Sequence, residues 1–288
     1  MAILTATRSD WADHALGFFR IVAGIVFISI GTMKVFGYPP SPAPVALWSQ
    51  MGIGGLIEVV GGVLIVLGLF TRPVAFILSG EMAVAYFRSW APRGFFPIAN
   101  GGEEATLFAF LFLWLWTAGA GAWSLDGWWR GRTPRRASLV ARWEPQARAL
   151  LRMVMGFLLV LHGCRKLFGV LVSVAGRRNA PPLAIDALPP FTGYVDLIAG
   201  VLLMMGLFVR QTAAVVATEA LLAYALFAQP RTLWPIRNGG NEALLYVVLG
   251  ILFVVAGSRA WSVDAWRLDK SSSESDVHNY SERRRLRA

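Results

Sequence analysis

The stretch EVVGGVLIVLGLFTR, Glu58–Arg72, decides how this chain folds, because a second copy of it follows later. The second copy, DLIAGVLLMMGLFVR, covers Asp196–Arg210, 138 residues further on. Each copy has an acidic residue at its start, an apolar run, a Gly-Leu-Phe turn and a closing arginine. The same offset relates FPIANGGEEATLF at 96–108 to WPIRNGGNEALLY at 234–246, and WSLD at 123–126 to WSVD at 261–264. A register shared over more than 100 residues indicates a duplicated unit.

The beginning of each unit aligns at a shorter offset of 132 residues. At this offset Arg20 matches Arg152 and Lys34 matches Lys166. The difference of six residues between the two offsets falls in the loop that follows the first apolar segment of each unit. The duplication therefore extends from the first apolar segment to the WSLD motif.

The composition indicates a membrane protein. Of the 288 residues, 56% are hydrophobic and only 15% are charged, whereas a soluble domain usually has about 25% charged residues. A spanning helix needs about 20 mostly apolar residues. Eight segments fit this length: 15–36, 51–70, 73–90, 104–122, 149–169, 192–209, 211–229 and 242–260. We predict an all-α integral membrane protein with eight transmembrane helices.

Four spans in each unit give both units the same orientation, so we expect two parallel four-helix bundles. The net charge of +10 is concentrated in the connector between the units and in the tail. The positive-inside rule places these segments, and both termini, on the cytoplasmic side of the cell membrane. The predicted divisions are an N-terminal segment at 1–14, a first bundle at 15–129, a basic connector at 130–147, a second bundle at 148–268 and a disordered tail at 269–288.

Basic clusters beside apolar segments favour cytoplasmic flanks over nucleic-acid binding, so we predict no nucleic-acid partner. The three histidines fall at different depths of this topology, which predicts no metal or haem site. The single cysteine, Cys164, excludes an intrachain disulfide and a dithiol. Arg20 and Arg152 lie about one turn inside the cytoplasmic boundary, where we expect them to extend toward water.

Charged and amide side chains recur in the outer half of each unit. A lone charge at the bilayer centre costs at least about 2.5–3.5 kcal/mol, so these groups should face the bundle interior and pair. They are our candidates for ligand binding or proton handling. In the first unit they are Lys34, Glu58, Glu81, Asn100, Glu103 and Glu104, and in the second they are Lys166, Asp196, Glu219, Asn238 and Glu242. The alternative is that they form ion-paired struts that only fix the helices.

The Asn-Gly-Gly motifs at Asn100 and Asn238 stand where the fourth span of each unit begins. Glycine lets the backbone turn, and asparagine can cap the first N–H groups of the helix. A carboxylate in the first turn suits the positive end of the helix dipole. The free N–H donors of such a turn can also bind an anionic or carbonyl-bearing ligand.

These motifs resemble the DoxX family of small four-helix membrane proteins. The resemblance rests on the Arg and Lys of the first span, on EVVGGVLIVLGLFTR, and on PIANGGEEA followed by WSLD, and it covers about 15–128 and 148–267. Most members of that family are single units, so a fused pair is a departure. The family name comes from a subunit of a thiosulfate:quinone oxidoreductase. The resemblance therefore implies a membrane subunit of a quinone-linked oxidoreductase, with a partner subunit and no cofactor in the chain except a bound quinone.

Three functions compete at this stage. In the first, Glu58, Glu81 and Glu104 handle quinol protons while Lys34 polarises a quinone carbonyl. In the second, the chain is a non-enzymatic carrier or receptor that binds a small polar molecule or a lipid in an outer polar cavity of each bundle. In the third, the chain is a scaffold whose basic connector and tail hold a cytoplasmic partner.

Overall fold

The computed structural model describes residues 2–39, 44–130, 139–171, 184–268 and 270, and side chains from residue 12 onward except that of Arg130. Within these ranges the chain forms helices and turns and no strand. Its α-helices in chain order are α1 (Ala2–Phe36), α2 (Gln50–Leu67), α3 (Thr71–Ala85), α4 (Pro97–Asn100), α5 (Glu103–Ala118), α6 (Leu125–Arg130), α7 (Glu144–Phe168), α8 (Thr192–Met205), α9 (Val209–Ala223), α10 (Pro235–Asn238) and α11 (Asn241–Ala256). Helices α3 and α9 continue as π-helical turns, Tyr86–Trp90 and Tyr224–Ala228.

Each of the eight predicted spans coincides with a helix of the structure. Within the part of the chain that the structure describes, four helical segments are long and apolar enough to cross a membrane: Ala12–Phe36, Gln50–Leu67, Leu139–Phe168 and Val209–Ala228. Helices α8 and α11 are apolar but shorter, with 14 and 16 residues. The protein is therefore all-helical with several candidate membrane spans, and the number of eight stays a prediction.

The two units pack through repeat-related pairs of helices. In the first unit (α1–α6) α1 packs on α2 and α3 on α5, and in the second unit (α7–α11) α7 packs on α8 and α9 on α11. The units meet where α5 contacts α7 and where α1 contacts α11. Because α1 corresponds to α7 and α5 corresponds to α11, the same pair of repeat elements meets in both contacts, as in the interface of a symmetric dimer. The contact regions are apolar apart from the polar residues described below.

Small residues let the first two helices of each unit approach closely. A Cβ on Gly31 would lie 2.7 Å from the carbonyl oxygen of Gly55, and one on Gly156 would lie 2.6 Å from that of Gly200. Both distances are too short for any side chain, so only glycine permits this approach. Close helix contact through small residues is the packing mode that membrane helices favour.

The end of the bundle where α2 meets α3, which we call the arginine end, explains the repeated Gly-Leu-Phe motif. Gly68 ends α2 in the left-handed conformation with φ 63°, which glycine adopts without strain. The carboxylate of Asp126, the last residue of WSLD, accepts hydrogen bonds from the backbone N–H groups of Phe70 and Thr71 at 2.9 and 2.8 Å. Asp264 does the same for Phe208 and Val209 in the second unit.

The expectation that Arg20 and Arg152 extend to water is wrong, because each is only 1% exposed. The Arg20 guanidinium donates to the carbonyl oxygens of Ile65 and Val66 at the end of α2. It also donates to backbone carbonyl oxygens after α5, that of Ala120 at 2.8 Å among them. Arg152 binds Leu203, Met204 and Trp261 in the same way. The unsatisfied carbonyls of a helix end hold these arginines inside the protein.

The other predicted divisions are only partly covered by the structure. Helix α1 already includes residues 2–14, and α7 begins at Glu144, inside the predicted connector. Residues 131–138 of the connector and all of the predicted disordered tail except Lys270 lie outside the described residues.

Candidate functional site

The opposite end of the bundle, where Asn100 and Asn238 lie, is called the NGG end here. In the first unit its central feature is an ion pair between Lys34 of α1 and Glu58 of α2. Glu81 of α3 lies within electrostatic range of both groups. One oxygen of Glu58 and one of Glu81 are buried without a hydrogen-bond partner among the described residues. We call Lys34, Glu58 and Glu81 the first triad.

The second unit repeats this arrangement as the second triad, formed by Lys166, Asp196 and Glu219. The Lys166 ammonium lies 2.7 Å from Asp196 Oδ2 and 3.5 Å from Glu219 Oε1. It also donates a hydrogen bond of 3.0 Å to the hydroxyl of Thr192. Each triad thus contains one cation and two carboxylates from the candidate set of its unit.

The two triads differ in how open they are. Gly54 occupies the position of Thr192 in the first unit, and a Cβ there would lie 3.4 Å from Glu81 Oε1. The Lys34 side chain is 24% exposed, whereas that of Lys166 is 4% exposed. The missing side chain at Gly54 leaves the first triad the more accessible of the two.

The asparagines of the NGG end stabilise the loops in which they lie through hydrogen bonds to the backbone. The Asn100 amide oxygen accepts from the Gly102 N–H at 2.7 Å, and its nitrogen donates to the Gly94 carbonyl at 2.8 Å. Asn238 repeats this pattern with Gly240 and the carbonyl of Thr232. Both asparagines are fully buried. Their amide groups therefore hold the turn before α5 and before α11, and they do not point toward the triads.

Glu103 and Glu104 do not join Lys34, which corrects the expectation that these groups gather within the first unit. Helix α5 presents Glu103 to the second unit, where its Oε1 lies 2.8 Å from His162 Nε2 and accepts a 2.8 Å bond from the Tyr246 hydroxyl. Glu104 Oε1 accepts a hydrogen bond of 2.6 Å from Asn241, at the start of α11. The direction of these two side chains around the helix axis therefore differs from the one that we expected.

A polar network therefore crosses the boundary between the units, and we call it the interface network. His162 lies between two carboxylates, with Nδ1 3.0 Å from Asp186 Oδ1 and Nε2 toward Glu103. Arg165 pairs with Asp186 on the far side. An arginine and an imidazolium balance the two carboxylates, so this charge count favours protonated His162.

Asp186 lies in the loop before α8, at the solvent-facing edge of the interface network. Burial alone would raise the pKa of its carboxyl group. The charges of His162 and Arg165, together with their hydrogen bonds, hold the pKa well below its usual range. Asp186 is therefore ionised throughout the physiological pH range.

The interface network was missed at the level of sequence, although the internal repeat contains a signal for it. At the matching positions of the first unit, Ile30 stands for His162, Met33 for Arg165 and Phe108 for Tyr246. These are the places where one copy is apolar and the other polar. Positions at which the two copies of the repeat differ are therefore as informative as positions at which they agree, because they indicate where the second unit has a role that the first does not.

The fold and its apolar helices define a multi-pass membrane protein with an internal duplication. The sequence profile of DoxX matches residues 15–89 and 147–229, more than half of the chain. The chain therefore belongs to the DoxX family and carries the unit of that family in tandem.

Two relatives are similar to about one unit of the chain. A protein of Haemophilus influenzae, described as uncharacterized, is 48% identical in an alignment of 127 residues that covers 40% of this chain and 91% of the relative. An uncharacterized membrane protein of Mycobacterium tuberculosis is 31% identical in an alignment of 115 residues that covers 33% of this chain and 69% of the relative. No solved structure matches the chain.

Proposed function

We propose that the chain crosses the cell membrane eight times, as two parallel units, with both termini and the arginine end in the cytoplasm. The helix at each predicted span and the basic connector support this topology. Reporter fusions test it. A cytoplasm-dependent fluorescent fusion after residue 268 should be active, and a periplasm-dependent phosphatase fusion there should be inactive. A phosphatase fusion in the loop at 92–96 should be active, and an inactive one would overturn the topology.

The function that the geometry supports best is proton handling within the membrane, as the membrane subunit of a quinone-linked oxidoreductase. The observation that carries this proposal is the charge of each triad, in which one ammonium faces two buried carboxylates. With every group ionised, a triad would have an uncompensated negative charge, which is costly away from water. Binding one proton restores neutrality, so each triad is a site that can accept and release a proton.

The residues of the first triad fit the polar head of a quinone. Lys34 is partly exposed and can donate a hydrogen bond to a carbonyl oxygen, and Glu81 has a buried oxygen without a hydrogen-bond partner among the described residues. Exposed apolar side chains of the neighbouring helix surface, Val84 and Phe87, would contact an isoprenoid tail. A quinone supplies two-electron redox chemistry that consumes or releases two protons. Glu58 and Glu81 would exchange these protons, and a partner subunit would exchange the electrons because the chain contains no dithiol.

Quinone binding is tested directly on the full-length protein. The wild type, purified in mild detergent, should retain quinone in its lipid extract and rebind added ubiquinone or menaquinone. Lys34→Met should lose most of this binding, whereas Lys166→Met, its matched control in the enclosed second triad, should lose less. Wild-type protein that neither retains nor rebinds quinone would remove the proposal, as would unchanged binding by Lys34→Met.

A second candidate is a carrier or receptor for a small polar molecule or lipid, favoured by the accessible Lys34 and by the single cysteine, which leaves no dithiol as an electron route. It predicts proton-linked uptake into liposomes that contain the protein. The double variant Glu81→Gln/Glu219→Gln should abolish this uptake. Uptake at the wild-type rate in that variant would exclude the triads as the transport site.

A further inference from the structure

We propose that the arginine end carries a binding site for a phosphate group, as presented by the headgroup of an anionic phospholipid. A cavity of about 1120 Å³ opens there between Ala12 and Asp13 of α1 and the second unit. Its walls come from the first turns of α7, the start of α9 and the end of α11 with the helical turns at 263–268. The site is at the end of the bundle opposite the triads, and it is independent of the proposed redox or transport function.

The cavity has an excess of positive charge. Among its lining residues are the arginines 148, 210, 259 and 267 and the aspartates 13 and 264. The Asp264 carboxylate is already engaged by the backbone N–H groups of Phe208 and Val209, each at 3.0 Å. Four guanidinium groups thus line the cavity together with two carboxylates, and one of these carboxylates already accepts hydrogen bonds from the backbone. Arginine binds phosphate oxygens in a bidentate manner, which makes phosphate the matching anion.

Arg148 and Arg259 bring two positive charges close together, although Arg148 Nη2 also donates a hydrogen bond of 3.3 Å to Glu144. Arg148 is buried, and its carboxylate partner, Glu144, lies 3.3 Å away on the same helix. Its Nε makes no hydrogen bond within the described residues. Arg259 lies close enough to repel the charge of Arg148, and in the described part of the chain it has neither a hydrogen bond nor an ion pair. An anion between these two guanidinium groups would offset their repulsion.

Comparison of the two units shows that the fold does not require these arginines. Arg210 and Asp264 have the counterparts Arg72 and Asp126, which belong to the repeated corner at the arginine end. The counterparts of Arg148, Arg259 and Arg267 are Leu16, Gly121 and Trp129. Three arginines are therefore present in one unit at positions where the other unit folds without them.

The rim of the cavity suits a lipid. Phe208, Val255 and Leu268 line the cavity and are exposed. The Arg267 guanidinium lies 5.9 Å from the centre of the Phe208 ring, a cation–π distance that orients the arginine. Basic groups with an apolar rim at a helix end match a phosphate at the membrane surface with acyl chains beside it.

The test uses the full-length protein in mild detergent, titrated with phosphatidylglycerol or phosphatidylcholine and examined by native mass spectrometry. The wild type should bind one phosphatidylglycerol at least about tenfold more tightly than phosphatidylcholine. The double variant Arg259→Ala/Arg267→Ala removes two exposed side chains and should bind phosphatidylglycerol at least about tenfold more weakly, since a hydrogen bond to a charged group contributes about a factor of ten or more. Arg148→Leu, which copies Leu16, should have a similar effect.

The control is Arg88→Ala/Arg93→Ala, which removes the same charge from exposed positions at the NGG end and should bind lipid as the wild type does. Competition with inorganic phosphate and glycerol 3-phosphate distinguishes the source of the phosphate group. Displacement of the lipid only by other anionic lipids supports a headgroup site, and displacement by the soluble ions supports a soluble phosphate ligand. Equal affinity for both lipids without binding of soluble phosphate would overturn the proposal, as would wild-type affinity in the folded Arg259→Ala/Arg267→Ala variant.

Discussion

The interface network predicts how strongly the two units depend on Glu103. The substitution Glu103→Ala removes the acceptor that His162 and Tyr246 share, at 2.8 Å from each. Removing one partner of a buried ion pair costs about 3–5 kcal/mol, and leaving a buried hydroxyl without a hydrogen-bond partner costs about 1–3 kcal/mol. The two losses involve one oxygen atom and are not additive. We expect the free energy of unfolding to fall by about 4 kcal/mol, which exceeds the value of a typical point mutation.

Unfolding in mixed micelles, followed by tryptophan fluorescence during a denaturing-detergent titration, measures this change. The matched comparison is Asn241→Ala, at the repeat-related position, which loses the single hydrogen bond to Glu104. That variant should lose only about 1.5–3 kcal/mol. A fall of less than about 1 kcal/mol for Glu103→Ala would refute the assignment of Glu103 as the anion that holds the interface.

A triple variant separates lost polar contacts from lost packing. Glu103→Ala/His162→Ile/Tyr246→Phe introduces, at the last two positions, the residues that Ile30 and Phe108 provide in the first unit. Asp186 and Arg165 remain and still pair with each other, and replacing the partners of a buried polar contact together by apolar groups is often neutral. We therefore expect stability within about 2 kcal/mol of the wild type. A triple variant as unstable as the single variant would show that packing dominates.

Three further changes follow from single contacts of the structure. Asp186→Asn should lower the free energy of unfolding by about 1–3 kcal/mol. Because the folded state lowers the pKa of Asp186, the stabilisation by its carboxylate should be constant from about pH 5 to 8. It should decline below about pH 4, where the carboxyl group of the unfolded chain becomes protonated. Unfolding titrations across this range measure it, and a gap between the variants that widens on acidification would contradict the sign. Arg20→Met should lower the free energy of unfolding by at least about 3 kcal/mol, since it leaves the carbonyl groups at the end of α2 without donors. A variant whose thermal unfolding midpoint lies within a degree of the wild type would exclude this role of Arg20. Thr192→Val should cost about 1.5–3 kcal/mol, because it removes the acceptor of a hydrogen bond from the charged Lys166. The same titration should detect this loss, and a cost above about 4 kcal/mol would indicate an additional role of the hydroxyl.

The sequence by itself determined the features that are local or periodic. Apolar runs predicted each of the long helices, and the two offsets of 132 and 138 residues predicted the duplication that the family match confirms. The sequence placed Lys34 and Glu58 in one candidate set, and Lys166 and Asp196 in another, and the packing of the first two helices of each unit brings these pairs together. Glycine in the left-handed region and a capping aspartate are similarly local requirements, so the repeated turn could be recognised before its geometry was known.

Only the tertiary structure decided in which direction each polar side chain points. Topology gives the depth of Glu103 in the membrane but leaves its angle around the helix axis open, and that angle places it against His162 and Tyr246 of the other unit. The same holds for Arg20, whose depth suggested contact with water while the carbonyl groups of α2 hold it inside. Contacts between units depend on how two related bundles dock, and no periodicity within either bundle encodes that arrangement.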